Sequence, residues 1–413
     1  MNSILIKNIF HIGNIVDVLV IGNRIVRIAE NIEYDVDKIV DGRDKAILPP
    51  FYNAHTHASM TLLRGYADDL PLFKWLMEYI WPFEDKLSAE NIYDGARLAI
   101  VEMIRSGTVF FADMYWHHEA IIKAVNEMGI RANIGVSFIE SRGRKEVEDN
   151  FNFIRNFKSP SDLISISVAP HAIYTVGKDL LQECGKIARE EDLVFHIHLA
   201  ETIKEVEDCK LQNNGLTPVE YLNSIGVLSQ KVNAAHCIHL KELDAEILSA
   251  NNTTLVHNPC SNMKLASGHF NVPLIEKYGC NIALGTDGTS SNNNLSMQEE
   301  MKFAALLAKS AHKDTTILPA KQIFKWATEN GAKAFGIDAG VIEEGKLADF
   351  LIIDLNNERL VPNYKLTSNW VYSADSRCIN SVICNGKFLM EDGVIENEKE
   401  IIEKGKKKLR KIS

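Results

Sequence analysis

Residues 53–60 read Asn53-Ala54-His55-Thr56-His57-Ala58-Ser59-Met60, NAHTHASM, and they follow a short apolar run, AILPPFY (46–52), that carries two prolines. In an extended strand residues i and i+2 project to the same side, so His55 and His57 aim two imidazoles at one point. That is a metal-ligand geometry. A pair of hydrogen-bonded histidines at a strand end reads the same way until the rest of the chain is weighed.

Seven more β-branched or apolar runs follow: TVFFADMY (108–115), RANIGVSF (131–138), LISISVAPH (163–171), LVFHIHLAE (193–201), VNAAHCIH (232–239), TTLVHNP (253–259) and NIALGTDG (281–288). Stretches of helical period separate them from residue 48 to about 310, which is the habit of a parallel βα architecture. Most of the runs carry a polar or ionisable residue at the C-terminal end. In a (β/α)8 TIM barrel that end is the active-site face, so an α/β barrel is the expected fold. A doubly wound open sheet competes with it, but leaves eight strands with polar groups at one end unexplained.

The flanks differ. Residues 1–48 and 345–391 are strand-like, with turn dipeptides Asn385-Gly386 and Asp392-Gly393. They are read as two halves of one small β-sandwich built from both chain ends, since the termini of a domain often lie close together. The expected division is therefore 1–48, a barrel over 49–344, and 345–413 with a terminal helix. No repeat of solenoid length is visible.

The formal net charge of −10 disfavours nucleic acid and anionic membranes as partners, because both are bound by basic patches. The one basic run, KGKKKLRK (404–411), reads as the solvated end of a terminal helix. Seven cysteines without Cys-x-x-Cys spacing cannot complete a disulfide framework, and a cytoplasmic location fits them. Lys7, His11 and Asp17 interrupt the N-terminal apolar stretch, which is therefore expected to be strands and not a cleavable signal or a membrane span.

The chemistry gathers at the strand ends. In His196-Ile197-His198-Leu199-Ala200-Glu201, His198 lies nearer the strand end and is chosen as the ligand, with His196 deeper in the core. Glu201, just beyond, is placed for general acid/base work. The sixth run offers His236 and the eighth Asp287. Asp287 before Gly288 also reads as a helix N-cap, but beside three histidines it becomes a ligand candidate. His55, His57, His198 and Asp287 make an N3O set suited to Zn²⁺ or Fe²⁺. His239 is expected to face elsewhere, and His257 and His269 to be structural or supporting. Trp75 and Trp81 read either as pocket-wall aromatics or as a helical core stripe.

The ordered set NAHTH, HIHLAET, AAHCIHL, VHNPCSNMKLASG and LGTDGTSSNNN resembles the amidohydrolase superfamily. HASMTLLRGYADDLPLFKWLMEYIWPFE, APHAIYT and EEGKLADFLIIDL narrow the resemblance to its 5-methylthioadenosine/S-adenosylhomocysteine deaminase branch. The resemblance implies hydrolytic deamination of a small-molecule nucleoside, with release of ammonia. It implies one divalent metal ion on His55, His57, His198 and Asp287, since the fourth run lacks the lysine that binuclear members carboxylate. His236, Glu201 and Asp287 would then be catalytic. Glu84 matches the family's ribose-binding glutamate, and His171 its adenine-contacting histidine. Arg144, with Arg142 a near competitor, aligns with the arginine that meets a substrate carboxylate. Glu201 and Asp287 would also touch the base. A guanine, cytosine or triazine aminohydrolase is the second reading, and a non-catalytic scaffold on this fold the third. Self-association into a homo-oligomer is left open.

Overall fold

Pro49 and Pro50 end one strand, and the chain enters another at Phe51. The computed structural model describes residues 3–229 and 231–412. Parallel strands Phe51–His57, Thr108–Tyr115, Arg131–Phe138, Ile164–Pro170, Val194–Leu199, Val232–His236, Thr254–His257 and Asn281–Leu284 pair in sequence order. The short strand Asp287–Gly288, three residues past the eighth, pairs back onto the first through Asp287↔Thr56 and Gly288↔His57. The nine-stranded path thus begins and ends on two pieces of one segment, as a TIM-like barrel requires. Gly285 sits in the break between those pieces. A Cβ there would lie 2.7 Å from the His55 carbonyl oxygen, so only glycine lets the eighth strand pass the first so closely.

Several strand exits are bent into left-handed backbone without glycine: Ala200 at φ 49°, His236 at 72°, Cys237 at 52° and Asp287 at 58°. Such conformations cost free energy and persist only where surrounding contacts hold them. The sixth strand stops at His236, earlier than the sequence run extends, because the chain turns there.

Strands from both chain ends form one eight-stranded sheet. Phe350–Asp354 runs antiparallel to Lys45–Leu48, with Leu351 opposite Leu48, directly before the barrel begins. Asn385 (φ 53°) and Gly386 (φ 73°) make the tight turn expected between the last two strands. The pairing joins these strands in a single sheet, and does not by itself divide them into the two facing layers of a sandwich. A cluster of Ile4, Ile6, Val18, Val20, Phe350 and Ile352 gives this sheet its own apolar core. Arg131, at the foot of the third barrel strand, pairs with Asp349 at 3.3 Å, and Tyr52 donates to the same carboxylate at 2.9 Å; all three are buried. That network ties barrel to sheet.

The basic run 404–411 falls on the closing helix Glu398–Ile412; its side chains from 408 onward lie outside the described residues. Among the described residues no helix is long and apolar enough to cross a membrane.

Candidate metal centre and catalytic cleft

His55 and His57 leave the first strand on the same side and meet His198 and Asp287 at the barrel mouth. One ligand-type atom from each of the four lies within 4.8 Å of the others. Asp287 Oδ1 is 3.1 Å from His57 Nε2 and 3.5 Å from His55 Nε2, and His198 Nε2 is 3.4 Å from His57 Nε2. The outer ring nitrogens are already engaged. His57 Nδ1 meets the Met114 carbonyl at 2.6 Å, and His198 Nδ1 the His171 carbonyl at 2.7 Å. A carbonyl only accepts, so both Nδ1 atoms carry hydrogen and both Nε2 lone pairs face the centre. His55 Nδ1 lies 3.0 Å from His196 Nε2, while its own Nε2 is buried without a hydrogen-bond partner. Three imidazole lone pairs and a carboxylate converging in this way fit a divalent cation.

Burial opposes charge on these imidazoles. It takes His55 down to about 4 and pushes His198 well below the usual histidine range. Burial acts on His57 too, but the Asp287 carboxylate more than offsets it and raises His57 to about 9, so a cation bound at Nε2 would displace a proton there. Asp287 itself is held well below the ordinary carboxylate range: burial would raise it, and the facing His55 and His57 rings outweigh that.

Asp287 divides its two oxygens. Oδ1 faces the histidines, while Oδ2 accepts from Ser261 Oγ at 2.6 Å and Ser291 Oγ at 3.1 Å. Asn262 Oδ1 meets His236 Nδ1 at 2.8 Å, which leaves His236 Nε2 directed toward Glu201 Oε2, 3.9 Å away. Burial raises the Glu201 carboxyl above its ordinary range, with His236 pulling the other way. Ser261 and Asn262 lie on the short helix Pro259–Lys264 after the seventh strand, and Ser291 on the turn after Asp287–Gly288. The sequence reading gave them no individual role; dense Ser/Asn just past a strand end was the available signal.

Over this floor lies a cleft lined by His57, His171, His198, Glu201, His236 and Asp287 below, and by Met60, Leu72, Trp75, Leu76, Ile80 and Trp81 on an apolar wall. That wall comes from the segment after His57, which includes a π-helical turn, Leu76–Ile80. Glu84 closes the wall: it is buried, its carboxylate faces the Tyr115 hydroxyl, and its Oε2 is 3.5 Å from Trp116 Nε1. His171 meets Thr175 Oγ1 through Nδ1 at 3.0 Å. Arg144 is not brought to the cleft. It starts the helix Arg144–Asn156, is 82 % exposed, and pairs with Glu148 one turn on. Arg142 lies nearer, stacked 3.9 Å over the Trp116 ring and 3.4 Å from Asp85. His239 turns away to the Ser267 carbonyl, His257 stacks on Phe270, and His269 faces His312.

Chains with this barrel and this centre form a recognised class. The amidohydrolase family model matches residues 46–389, and the chain belongs to the amidohydrolase family. It is 44% identical over 383 residues, 91% of this chain and 90% of the relative, to a 5-methylthioadenosine/S-adenosylhomocysteine deaminase 1 of Archaeoglobus fulgidus. It is 43% identical over 394 residues, 94% and 92% of the two chains, to a 5'-deoxyadenosine deaminase of Methanothermobacter thermautotrophicus. The crystal structure of an adenosine deaminase from Xanthomonas campestris with bound zinc superposes with TM-score 0.92 at 30% identity, over 99% of this chain and 98% of that one.

Proposed function

We propose that this chain is a metal-dependent aminohydrolase that converts adenosine derivatives, 5'-methylthioadenosine, S-adenosylhomocysteine, 5'-deoxyadenosine and adenosine itself, to their inosine counterparts. The observation that carries this reading is the convergence, on one cleft floor, of four metal-capable groups with the buried pair Glu201 and His236. A divalent ion on His55, His57, His198 and Asp287, zinc in our reading, would supply the Lewis acidity that makes water nucleophilic at neutral pH.

The remaining work falls to the chain. Glu201, whose carboxyl is raised by burial, holds a proton at its cleft-facing oxygen for delivery to N1 of the adenine ring, which otherwise gathers negative charge as C6 is attacked. His236 Nε2, fixed by Asn262, orients the attacking water. Asp287 takes one water proton and passes it to the departing amine; as ammonia leaves, the C6 hydroxyl returns the other to Glu201, so that C6 keeps the oxygen as a carbonyl and both carboxyl groups are restored. His171 lies against the ring, and Glu84, a buried carboxylate that lines the cleft, is suited to accept from ribose hydroxyls.

The apolar wall from Leu72 to Trp81 favours a short, uncharged 5' substituent. Arg142, stacked on Trp116, is better sited than Arg144 to meet an amino-acid carboxylate. We also read the chain as three segments, 1–48, 49–344 and 345–413, the outer two forming a small sandwich over their shared core. The seven free cysteines suit a cytoplasmic enzyme.

The test is the purified protein with its metal content measured, assayed for ammonia release against a nucleoside and nucleobase panel. Turnover on adenosine derivatives with one metal per chain is expected. No turnover on any of them, or faster turnover of guanine or triazines, would overturn the reading.

A further inference from the structure

Thr202-Ile203-Lys204-Glu205 has the spacing of a capping box, in which the N-cap hydroxyl accepts from the third helical N–H and the glutamate reaches back to the N-cap N–H. The neighbouring helix Pro218–Ser224 does this: Glu220 Oε2 accepts from the Thr217 amide at 2.8 Å. At the helix Ile203–Gln212 only half of the box forms. Thr202 Oγ1 accepts from the Glu205 amide at 3.2 Å, but the Glu205 carboxylate bypasses Thr202. Its Oε1 accepts from the Ala200 amide and its Oε2 from the Glu201 amide, both at 2.9 Å. Glu205 is 3 % exposed.

The peptide it holds is the strained one. Ala200 sits at φ 49°, and that twist turns Glu201 over the cleft. The Ala200 carbonyl in turn accepts from the Ile238 amide at 3.1 Å and the His239 amide at 3.0 Å, just past His236 and Cys237 with their own positive φ. One buried carboxylate therefore fixes the backbone of Glu201, and through the Ala200 carbonyl that of the loop carrying His236.

We propose that Glu205 is a positioning residue for deamination: its bidentate grip on the Ala200 and Glu201 amides sets where the Glu201 carboxylate stands relative to His236 and the substrate ring. The proposal rests on the function argued above. Glu205→Gln keeps the size but presents an NH2 to one of the two amides. A misplacement of the order of 1 Å at a proton-transferring group costs about 100-fold in rate.

Wild type, Glu205→Gln and Thr202→Ala are assayed side by side for metal content, kcat, KM and the pH dependence of kcat. Expected for Glu205→Gln is a full metal complement, KM within a few-fold of wild type, kcat lower by about 100-fold, and a displaced pH limb for Glu201. Thr202→Ala, which breaks the ordinary cap alone, is expected to keep kcat near wild type. A merely structural role would lower the active fraction without moving the pH limb. That result, kcat unchanged in Glu205→Gln, or an equal loss in Thr202→Ala, overturns the proposal. If Glu205→Gln does not accumulate folded, Glu205→Asp, too short to span both amides, is read by the same criteria. Inactive wild type counts against the function reading instead.

Discussion

The split carboxylate of Asp287 makes a quantitative prediction. Ser261 and Ser291 both donate to Oδ2, at 2.6 and 3.1 Å, and their hydroxyl oxygens lie 3.0 Å from each other. A hydrogen bond to a charged group contributes about 1.5–3 kcal/mol, and loss of a partner one layer out from a metal ligand typically costs 10- to 100-fold in metal affinity. Ser261→Ala removes the shorter bond and should weaken metal binding by about 30-fold, Ser291→Ala by about 10-fold. The double variant should not show the product of the two. With one serine gone, the other reorients onto Oδ2 alone, so each single loss is partly compensated and the double loss exceeds the product by a coupling of about 1 kcal/mol. The assay is metal affinity by competition against a chromophoric chelator, which needs no turnover. Unchanged affinity in Ser261→Ala, or strictly multiplicative effects, would refute the argument that these hydroxyls hold Oδ1 toward the histidines.

Other outcomes follow from the same geometry. Glu201→Gln should retain metal while kcat falls by about 10²–10⁴-fold, and an unchanged kcat would remove Glu201 from the proton-transfer role. Chelation should lower Tm, because four metal-capable groups, three buried and His57 half-buried, face one another; thermal scans with and without chelator check it. Asp349→Asn leaves Arg131 charged and buried without its counter-ion, and denaturant unfolding should show a loss of about 3 kcal/mol. Burial raises the Glu300 carboxyl to about 8 from its ordinary 4.5, although it accepts from the Cys260 amide at 3.1 Å. The folded state then binds more protons than the unfolded one between those values, so wild-type stability falls relative to Glu300→Gln by up to about 1.4 kcal/mol per pH unit as pH rises through that window. A difference that stays flat from pH 5 to 8 contradicts this.

What was legible in the sequence was what periodicity of two and strand-end position encode. His55 and His57 share a side because they are two residues apart, and the choice of His198 over His196 followed from which lay nearer the mouth. In the structure His196 sits one layer below, 3.0 Å from His55 Nδ1. Helical geometry hid the rest. Arg144 and Arg142 differ by two residues across a turn, Gly143 at φ 94°, and that turn sends Arg144 to solvent while Arg142 stacks on Trp116. Strand content and the nearness of domain termini put both chain ends in one small β-domain, and the shared sheet joins them; the division of that sheet into two layers is not encoded in strand content.

Glu205 marks the limit most clearly. Thr202-x-x-Glu205 and Thr217-x-x-Glu220 are the same local signature, and nothing in either tetrapeptide separates a closed capping box from a diverted one. The difference lies upstream. Thr202 follows a strand exit that must double back over a metal-capable centre, and a non-glycine residue at φ 49° leaves the Ala200 and Glu201 amides pointing away from any ladder partner. Buried amides without acceptors are costly, and the nearest carboxylate is drawn to them rather than to the helix end. The catalytic bend therefore decides the fate of the cap, and sequence spacing alone cannot show a bend that exists only because three other strands end beside it.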